Sequence, residues 1–167
     1  MFNVSAQLPP LLAHGLSIVF IGTEPGDESL RRKQYYADPS NRFYADLHAV
    51  GLTPSQVAPA DFESLIDLGI GLDDVDDAPR ALRSRIETGR AKGRCFNSKS
   101  ALARFACRRI SANVWRGEGA RRYAELAPIT WAVDDSSGLC GYHEERLASL
   151  RDLVGRLREL QRPSSTS

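Results

Sequence analysis

The feature that most limits the fold is a short, mostly apolar run at residues 16–21 (LSIVFI) that ends at Gly22. A run of this length without polar alternation is typical of a strand buried on both faces in a parallel sheet. A second run of this kind, PITWAV, occupies residues 128–133. IGLDDV at residues 70–75 and RCFN at residues 94–97 are short enough to be two more strands. Because helical patterns separate these stretches, the sequence favours an α/β domain with a mainly parallel central sheet.

Five segments are predicted to be helical from the spacing of their apolar residues. They cover residues 38–51, 59–69, 78–89, 98–110 and 143–160. Asp38 or Ser40 is expected to cap the first of these helices, and Ser98 the fourth. Phe62, Leu65, Ile66 and Leu68 are expected to form the apolar side of the second, and the last carries a stripe of Leu147, Leu150, Val154, Leu157 and Leu160. We predict one domain over residues 1–162, followed by a polar tail at residues 163–167.

Composition excludes several classes of protein. The chain of 167 residues is 42% hydrophobic and 26% charged, as in an ordinary globular domain. It has no apolar run near the roughly 20 residues that span a bilayer, and its N-terminus lacks the pattern of a secretory leader, so we expect a cytoplasmic protein. Cys95, Cys107 and Cys140 are widely spaced and form no CxxC pair. We therefore expect no disulfide framework, no metal site and no cofactor.

Charge is segregated along the chain. Residues 80–122 hold thirteen Lys or Arg and only two acids, Glu87 and Glu118. Residues 61–77 hold seven acids and no base. This pattern predicts either a basic face that binds a polyanion or a set of solvated helix faces. Composition alone leaves both interpretations open.

Three loops follow predicted strands and are candidates for chemistry, at residues 22–29, 97–99 and 134–142. The first, GTEPGDES, has neither a Walker lysine nor GxGxxG spacing, so its pattern gives poor support to a nucleotide-phosphate or dinucleotide site. A carboxylate that faces water there would suggest hydrolysis. Asp27 and Glu28 could instead begin a helix, whereas Glu24 precedes Pro25 inside the turn. In the third loop, Leu139 is either a wedge that enters a base stack or a packed core residue.

Five motifs in order resemble those of one known family. They are GTEPG at residues 22–26, YADPSNRFYADLHAVGLTPSQVAP at 36–59, LIDLGIGLDDV at 65–75, CFNSKSA at 95–101 and DSSGL at 135–139. The pattern is similar to that of the mismatch-specific uracil-DNA glycosylases, the branch of the uracil-DNA glycosylase superfamily that includes thymine-DNA glycosylase. The resemblance implies a three-layer α/β/α sandwich and a monofunctional enzyme that flips uracil or related bases out of DNA and excises them hydrolytically.

Two positions depart from the family pattern. Glu24 stands where the family has the asparagine that positions the hydrolytic water, and Asp135 stands where it has the asparagine of the second motif. The segment between Val75 and Cys95 is also shorter than in the family. Glu24 could act as the base, and Asp135, as an acceptor, could favour a different or broader set of bases. His143 is offset from the position at which other branches of the superfamily use a histidine.

The resemblance assigns roles residue by residue. The expected catalytic residue is Glu24, and the residues expected to bind the base are Gly22, Thr23, Tyr36, Asn97, Asp135 and Ser136. The residues expected to contact DNA are Ser137, Gly138, Leu139 and Lys99. The implied partner is DNA that contains uracil or related damaged bases, with no membrane partner, and we expect a monomer. A non-catalytic DNA-binding module that senses flipped bases and a hydrolase of free nucleosides are the alternatives, and the basic tract argues against the latter.

Overall fold

The computed structural model describes residues 7–111, 114–126 and 128–165 of the chain. Within them, four parallel strands form one sheet in the order β2-β1-β3-β4. The strands are β1 (Ile18–Gly22), β2 (Ile70–Asp74), β3 (Gly93–Phe96) and β4 (Ile129–Ala132). The predicted parallel α/β architecture is therefore confirmed. Residues 1–6 of the predicted domain and residues 166–167 of the predicted tail lie outside the described part of the chain.

Strand pairing determines which residues meet at the functional edge of the sheet. Gly22 lies opposite Asp74, Ile21 opposite Phe96, and Phe96 opposite Ala132. Because every strand runs in the same direction, their carboxyl ends share one edge. The loops that follow them are brought side by side at that edge.

Helices lie along both faces of the sheet. They are α1 (Asp27–Arg32), α2 (Phe43–Ala49), α3 (Pro79–Gly89), α4 (Lys99–Ala106) and α5 (His143–Gln161), with 3-10 helices at Pro59–Leu68 and Glu118–Arg122. Ser98 caps α4 as predicted, since its side chain accepts a hydrogen bond from the Ala101 backbone N–H at 3.0 Å. No helix in the described segments is long and apolar enough to cross a membrane.

Two of the helix predictions are wrong in detail. Helix α2 begins at Phe43 rather than at residue 38, because Asp38 and Asn41 use their side chains in local turns. The Ser40 N–H donates to Asp38 Oδ1 at 2.8 Å, and the Phe43 N–H donates to Asn41 Oδ1 at 3.0 Å. Such turns compete with helix formation. The segment predicted as an α-helix at 59–69 is a kinked 3-10 helix whose last residue, Leu68, is exposed.

Two apolar clusters, one on each face of the sheet, form the core. Ile18 and Phe20 of β1 pack with residues of α2 and α5, whereas Val19 and Ile21 pack with residues of α3 and α4. This division follows from the alternation of side chains along a strand. On α5, Leu150, Leu153, Val154 and Leu157 are buried and Leu160 is exposed. The three layers are therefore helices, sheet and helices, as expected.

Candidate active site

A cavity of about 250 Å³ opens at the carboxyl ends of the strands. All seven residues that the motifs assigned to catalysis or base binding line it: Gly22, Thr23, Glu24, Tyr36, Asn97, Asp135 and Ser136. Asp74, Ser29 and Asn41 also contribute to its walls. The residues expected to contact DNA, namely Lys99, Ser137, Gly138 and Leu139, lie outside this lining. Within the described residues, no group of three or more His, Cys, Asp or Glu side chains is arranged to hold a metal ion.

Asn97 follows β3 and is held in one orientation. Its side chain is 4% exposed, and its Oδ1 accepts a hydrogen bond from Arg146 Nη1 at 2.6 Å. Its Nδ2 donates to Ser136 Oγ at 3.0 Å. Because a guanidinium can only donate, Arg146 determines which end of the amide is the oxygen. Asn97 therefore keeps its nitrogen on the side of Ser136, a neighbouring cavity residue.

Arg146 joins three elements behind the cavity. It is fully buried in α5, and its Nε donates to Asp46 Oδ2 of α2 at 2.6 Å. Its Nη1 also donates to the Asp134 backbone carbonyl, just after β4, at 2.6 Å. His143 Nε2 lies 2.8 Å from Asp46 Oδ1, so this histidine belongs to the same network rather than to the cavity lining. Removing one partner of such a buried pair is strongly destabilising.

The sequence analysis missed Arg146 and Asp46. A signal for Arg146 was present, because it stands four residues before Leu150 and seven before Leu153 on the buried face of α5. A charged residue in an apolar stripe requires a buried partner. Periodicity does not identify that partner, which lies 100 residues away in the chain.

Asp74 is the third residue that the sequence analysis missed. It ends β2 opposite Gly22, and a Cβ added to Gly22 would lie only 2.5 Å from Asp74 Oδ1. The glycine therefore makes room for the carboxyl group. Partial burial is the main cause that raises the pKa of Asp74 to about 7, and the nearby carboxylates of Asp73, Asp76 and Glu24 raise it further.

The neighbouring Asp73 has a different environment. Its carboxylate accepts two hydrogen bonds from Arg85, at 2.9 Å from Nε and 3.0 Å from Nη2. No such partner donates to the Asp74 carboxyl group among the residues that the structure describes. Two successive acids at a strand end thus divide into one that is paired and one that faces the cavity.

Glu24 lies at the mouth of the cavity and is exposed. Its Oε1 is 3.2 Å from Arg104 Nη2 of α4. The other two acids of this loop do begin a helix, since Asp27 and Glu28 form the first turn of α1. The alternative reading of those two acids is therefore confirmed, and Glu24 alone remains in the turn beside the cavity.

Tyr36 has an unusual backbone conformation for a bulky residue, with a φ of +52°. One face of its ring stacks on Phe43, with centroids 4.0 Å apart and an interplanar angle of 21°. Its hydroxyl group lies 3.2 Å from the position that a Cβ on Gly22 would take and beside the Asn97 side chain. Burial raises the pKa of the Tyr36 hydroxyl group well above its usual value, so it remains neutral.

The loop after β4 projects from the protein, and a hydrogen bond and close packing hold part of it against the segment before α2. The Ser136 carbonyl accepts a hydrogen bond from the Arg42 N–H at 2.8 Å, and a Cβ on Gly138 would lie 2.6 Å from the Ser40 carbonyl oxygen. Asp135 Oδ1 accepts from the Ser137 N–H, which closes a turn. Leu139 is 96% exposed, so the interpretation of this residue as part of the core is wrong.

Several cations of the basic tract are engaged in pairs within the protein. Arg85, Arg104 and Arg116 pair with Asp73, Glu24 and Asp134 respectively. Lys99 and Arg116 line a second, more open groove of about 380 Å³ that shares Ser98, Ser100 and Asp135 with the cavity. The tract is therefore partly structural, and Lys99 is the cation outside these three pairs that lies at this groove beside the cavity.

No family model matches the chain. Its fold is similar to the solution NMR structure of a proposed uracil DNA glycosylase from Methanosarcina acetivorans, with a TM-score of 0.55 and 23% sequence identity. The alignment covers 90% of this chain and 98% of that chain. The likeness therefore extends over nearly the whole of both chains, and at this identity it establishes a common fold.

Proposed function

We propose that this protein is a DNA glycosylase that admits a flipped uracil or related base into the cavity and hydrolyses its N-glycosidic bond, leaving an abasic site. The observation that carries the proposal is that all seven residues the motifs assigned to catalysis or base binding line one cavity. They come from four separate parts of the chain. The shared fold with a proposed uracil DNA glycosylase supports the same assignment.

The exposed loop after β4 suits the extrusion of a base. Taking a base out of a duplex costs a few kcal/mol, and the cost is least at a mismatch or in a single strand. Leu139 would enter the gap in the stack, as apolar wedges do. Its loop packs closely against Ser40 at Gly138. Lys99 would contact a phosphate from the adjoining groove.

The bond-breaking step separates charge. As the bond from the sugar to the base breaks, its electron pair leaves with the base and positive charge develops on the sugar. Water then adds to the sugar carbon and gives up a proton, which Glu24 accepts as general base. The same carboxylate stabilises the cationic sugar. Backbone N–H groups near Thr23 and in the 135–139 loop would stabilise the departing base anion.

A non-catalytic sensor of flipped bases is the second candidate. The observation that favours it is the contact between Glu24 and Arg104, which engages one oxygen of the proposed base at the mouth of the cavity. In this reading the cavity binds the base, and no bond is broken.

One gel assay separates the two candidates. The protein is incubated with an end-labelled strand that contains one uracil, and the strand is then heated in alkali, which breaks it only at an abasic site. We expect cleavage at the uracil position, with the matching thymine strand as control. The assay is repeated with uracil, hypoxanthine, xanthine and thymine mismatches, in single and double strands. If the protein binds these substrates but cleaves none of them, the sensor is favoured.

A further inference from the structure

The two side chains that flank Gly22 and Tyr36 in the cavity offer opposite hydrogen-bonding chemistry. Asn97 has its amide oxygen engaged by Arg146 and one amide N–H engaged by Ser136, so its second N–H is the group left for a ligand in the cavity. Asp74 has a carboxyl group with no donor among the described residues. The Tyr36 hydroxyl group lies close to both, beside Asn97 and within the electrostatic reach of Asp74. A base in the cavity therefore meets a fixed donor and an unpaired carboxyl group near one another.

Deamination changes the edge of a base in a way that such a pair can detect. Uracil, hypoxanthine and xanthine each carry a ring N–H beside a carbonyl. Cytosine and adenine instead carry an unprotonated ring nitrogen beside an amino group at the corresponding edge, whereas guanine shares the ring N–H and carbonyl of xanthine. An ionised carboxylate accepts from a ring N–H and repels a ring-nitrogen lone pair. Sites built around such a hydrogen bond reject analogues that cannot make it.

On the premise of the glycosylase function proposed above, we propose that the ionised Asp74 carboxylate accepts the ring N–H of the flipped base while the Asn97 amide donates to the adjacent carbonyl. Asp74 is thus a specificity-determining residue that selects uracil over cytosine and hypoxanthine over adenine. Gly22 permits this role, because any side chain there would occupy the position of the carboxyl group. Arg146 supports this role, because its hydrogen bond to Oδ1 prevents the Asn97 amide from flipping and exchanging its oxygen and nitrogen.

The groups around Asp74 make this selection dependent on pH. Asp73 and Asp76 face it from the end of β2 and the residues beyond, Glu24 from the loop after β1, and the Tyr35 and Tyr36 hydroxyl groups from the segment before α2. Arg85 is nearby but paired with Asp73. With a pKa of about 7, Asp74 becomes protonated as the pH falls below neutrality and then donates instead of accepting. The preference of the cavity for uracil over cytosine should therefore decrease at acidic pH.

The first test measures single-turnover excision of uracil between pH 5.5 and pH 8.5. We expect the wild-type rate to fall below pH 7 by up to about tenfold per pH unit, since the competent ionised fraction falls by that factor. Asp74→Asn should lose the part of this dependence that Asp74 causes. Asp67→Asn, which changes an exposed acid away from the cavity, is the matched control and should keep the wild-type profile. An unchanged profile in Asp74→Asn overturns the role of Asp74.

The second test does not depend on catalysis. Carboxyl ¹³C NMR should place the midpoint of the Asp74 titration near 7, and added uracil should lower it, because the N–H stabilises the ionised form. Uracil as the free base should bind more tightly than cytosine at pH 8. In Asp74→Asn the new amide can present its oxygen or its nitrogen, so the ratio of the two dissociation constants should become about tenfold smaller. Circular dichroism would verify that the variant is folded. Equal binding of uracil and cytosine by the wild type overturns the proposal.

These results also separate the proposal from its premise. If the wild type binds uracil selectively through Asp74 but breaks no bond, the glycosylase assignment fails and the proposed role of Asp74 in base recognition stands. If the wild type excises uracil with a profile that Asp74→Asn does not change, the glycosylase assignment stands and the proposal fails.

Discussion

Glu24 and Asp74 are two acids of one cavity that occupy very different environments. Glu24 lies in the loop after β1, is exposed, and contacts Arg104 at 3.2 Å. Asp74 ends a strand and is partly buried. The charged side chains that act on it are other carboxylates, not an arginine or a lysine. Burial and like charges raise the pKa of a carboxyl group, whereas solvent weakens both effects. The comparison teaches that two carboxyl groups at the same cavity are suited to different tasks.

The positions of the two acids match this division. Glu24 at the mouth is accessible to water, which a base in a hydrolytic reaction must reach. Asp74 lies deeper, next to the glycine of the first motif, where it can contact a base edge. If the division is correct, changes at Glu24 affect bond breaking and changes at Asp74 affect which base is accepted.

Glu24→Gln is the change expected to have the largest effect. It removes the proton acceptor while keeping the shape of the side chain, so we expect excision of uracil to fall by about 10²-fold to 10⁴-fold. Binding of uracil-containing DNA should change little. Single-turnover kinetics and a binding titration measure the two quantities, with Asp27→Asn in the first turn of α1 as control. If Asp74→Asn lowers the rate more than Glu24→Gln does, the assignment of the two roles is reversed.

Gly22→Ala tests the space that Asp74 requires. The new Cβ would lie 2.5 Å from Asp74 Oδ1, so the carboxyl group must move. Misplacement of this size costs on the order of 10²-fold in rate. We expect a loss of uracil excision together with a loss of the preference for uracil over cytosine. Gly26→Ala, at which a Cβ meets nothing within 4 Å, is the control. Normal selectivity in Gly22→Ala would show that Asp74 reads no base edge.

Asp74→Asn should also change stability in a pH-dependent way. The pKa of the group is 3.8 as a reference and about 7 in the folded protein, so between these values the folded state holds a proton that the unfolded chain releases. The free energy of unfolding therefore falls as the pH rises through this window. At pH 8 the variant should be more stable by on the order of 1–4 kcal/mol, with no difference near pH 4. Chemical denaturation at the two pH values measures this, and equal effects at both would argue against a buried titrating Asp74.

Arg104→Gln should have the smallest effect. The pair that Arg104 forms with Glu24 is exposed, and such pairs contribute about 0–1 kcal/mol. We expect unchanged stability and a change of at most about fivefold in excision, since Glu24 keeps its access to water. If the excision rate falls as much as in Glu24→Gln, Arg104 is required to position the Glu24 carboxylate. The roles of Glu24 and Asp74 would then differ less than their environments indicate. Thermal unfolding and the gel assay provide the measurements.

Much of the fold could be predicted because its signals are local. The strand at residues 16–21, the helix capped by Ser98 and the long helix α5 each have apolar spacing or a cap that acts within a few residues. The start of α2 was misplaced because Asp38 and Asn41 can cap a helix or close a turn, and neighbouring structure decides between them. Glu118–Arg122 was missed because five residues carry no readable period.

The sequence by itself determined the class of fold, the three loops and seven of the residues that line the cavity, because burial of apolar side chains has a period and short motifs keep their order. Only the tertiary structure decided which polar groups meet. Parallel pairing places Asp74 opposite Gly22, and packing of α5 against α2 pairs Arg146 with Asp46. The pKa of Asp74 and the orientation of Asn97 depend on those distant partners, since electrostatic interactions and hydrogen bonds act through space and leave no period along the chain.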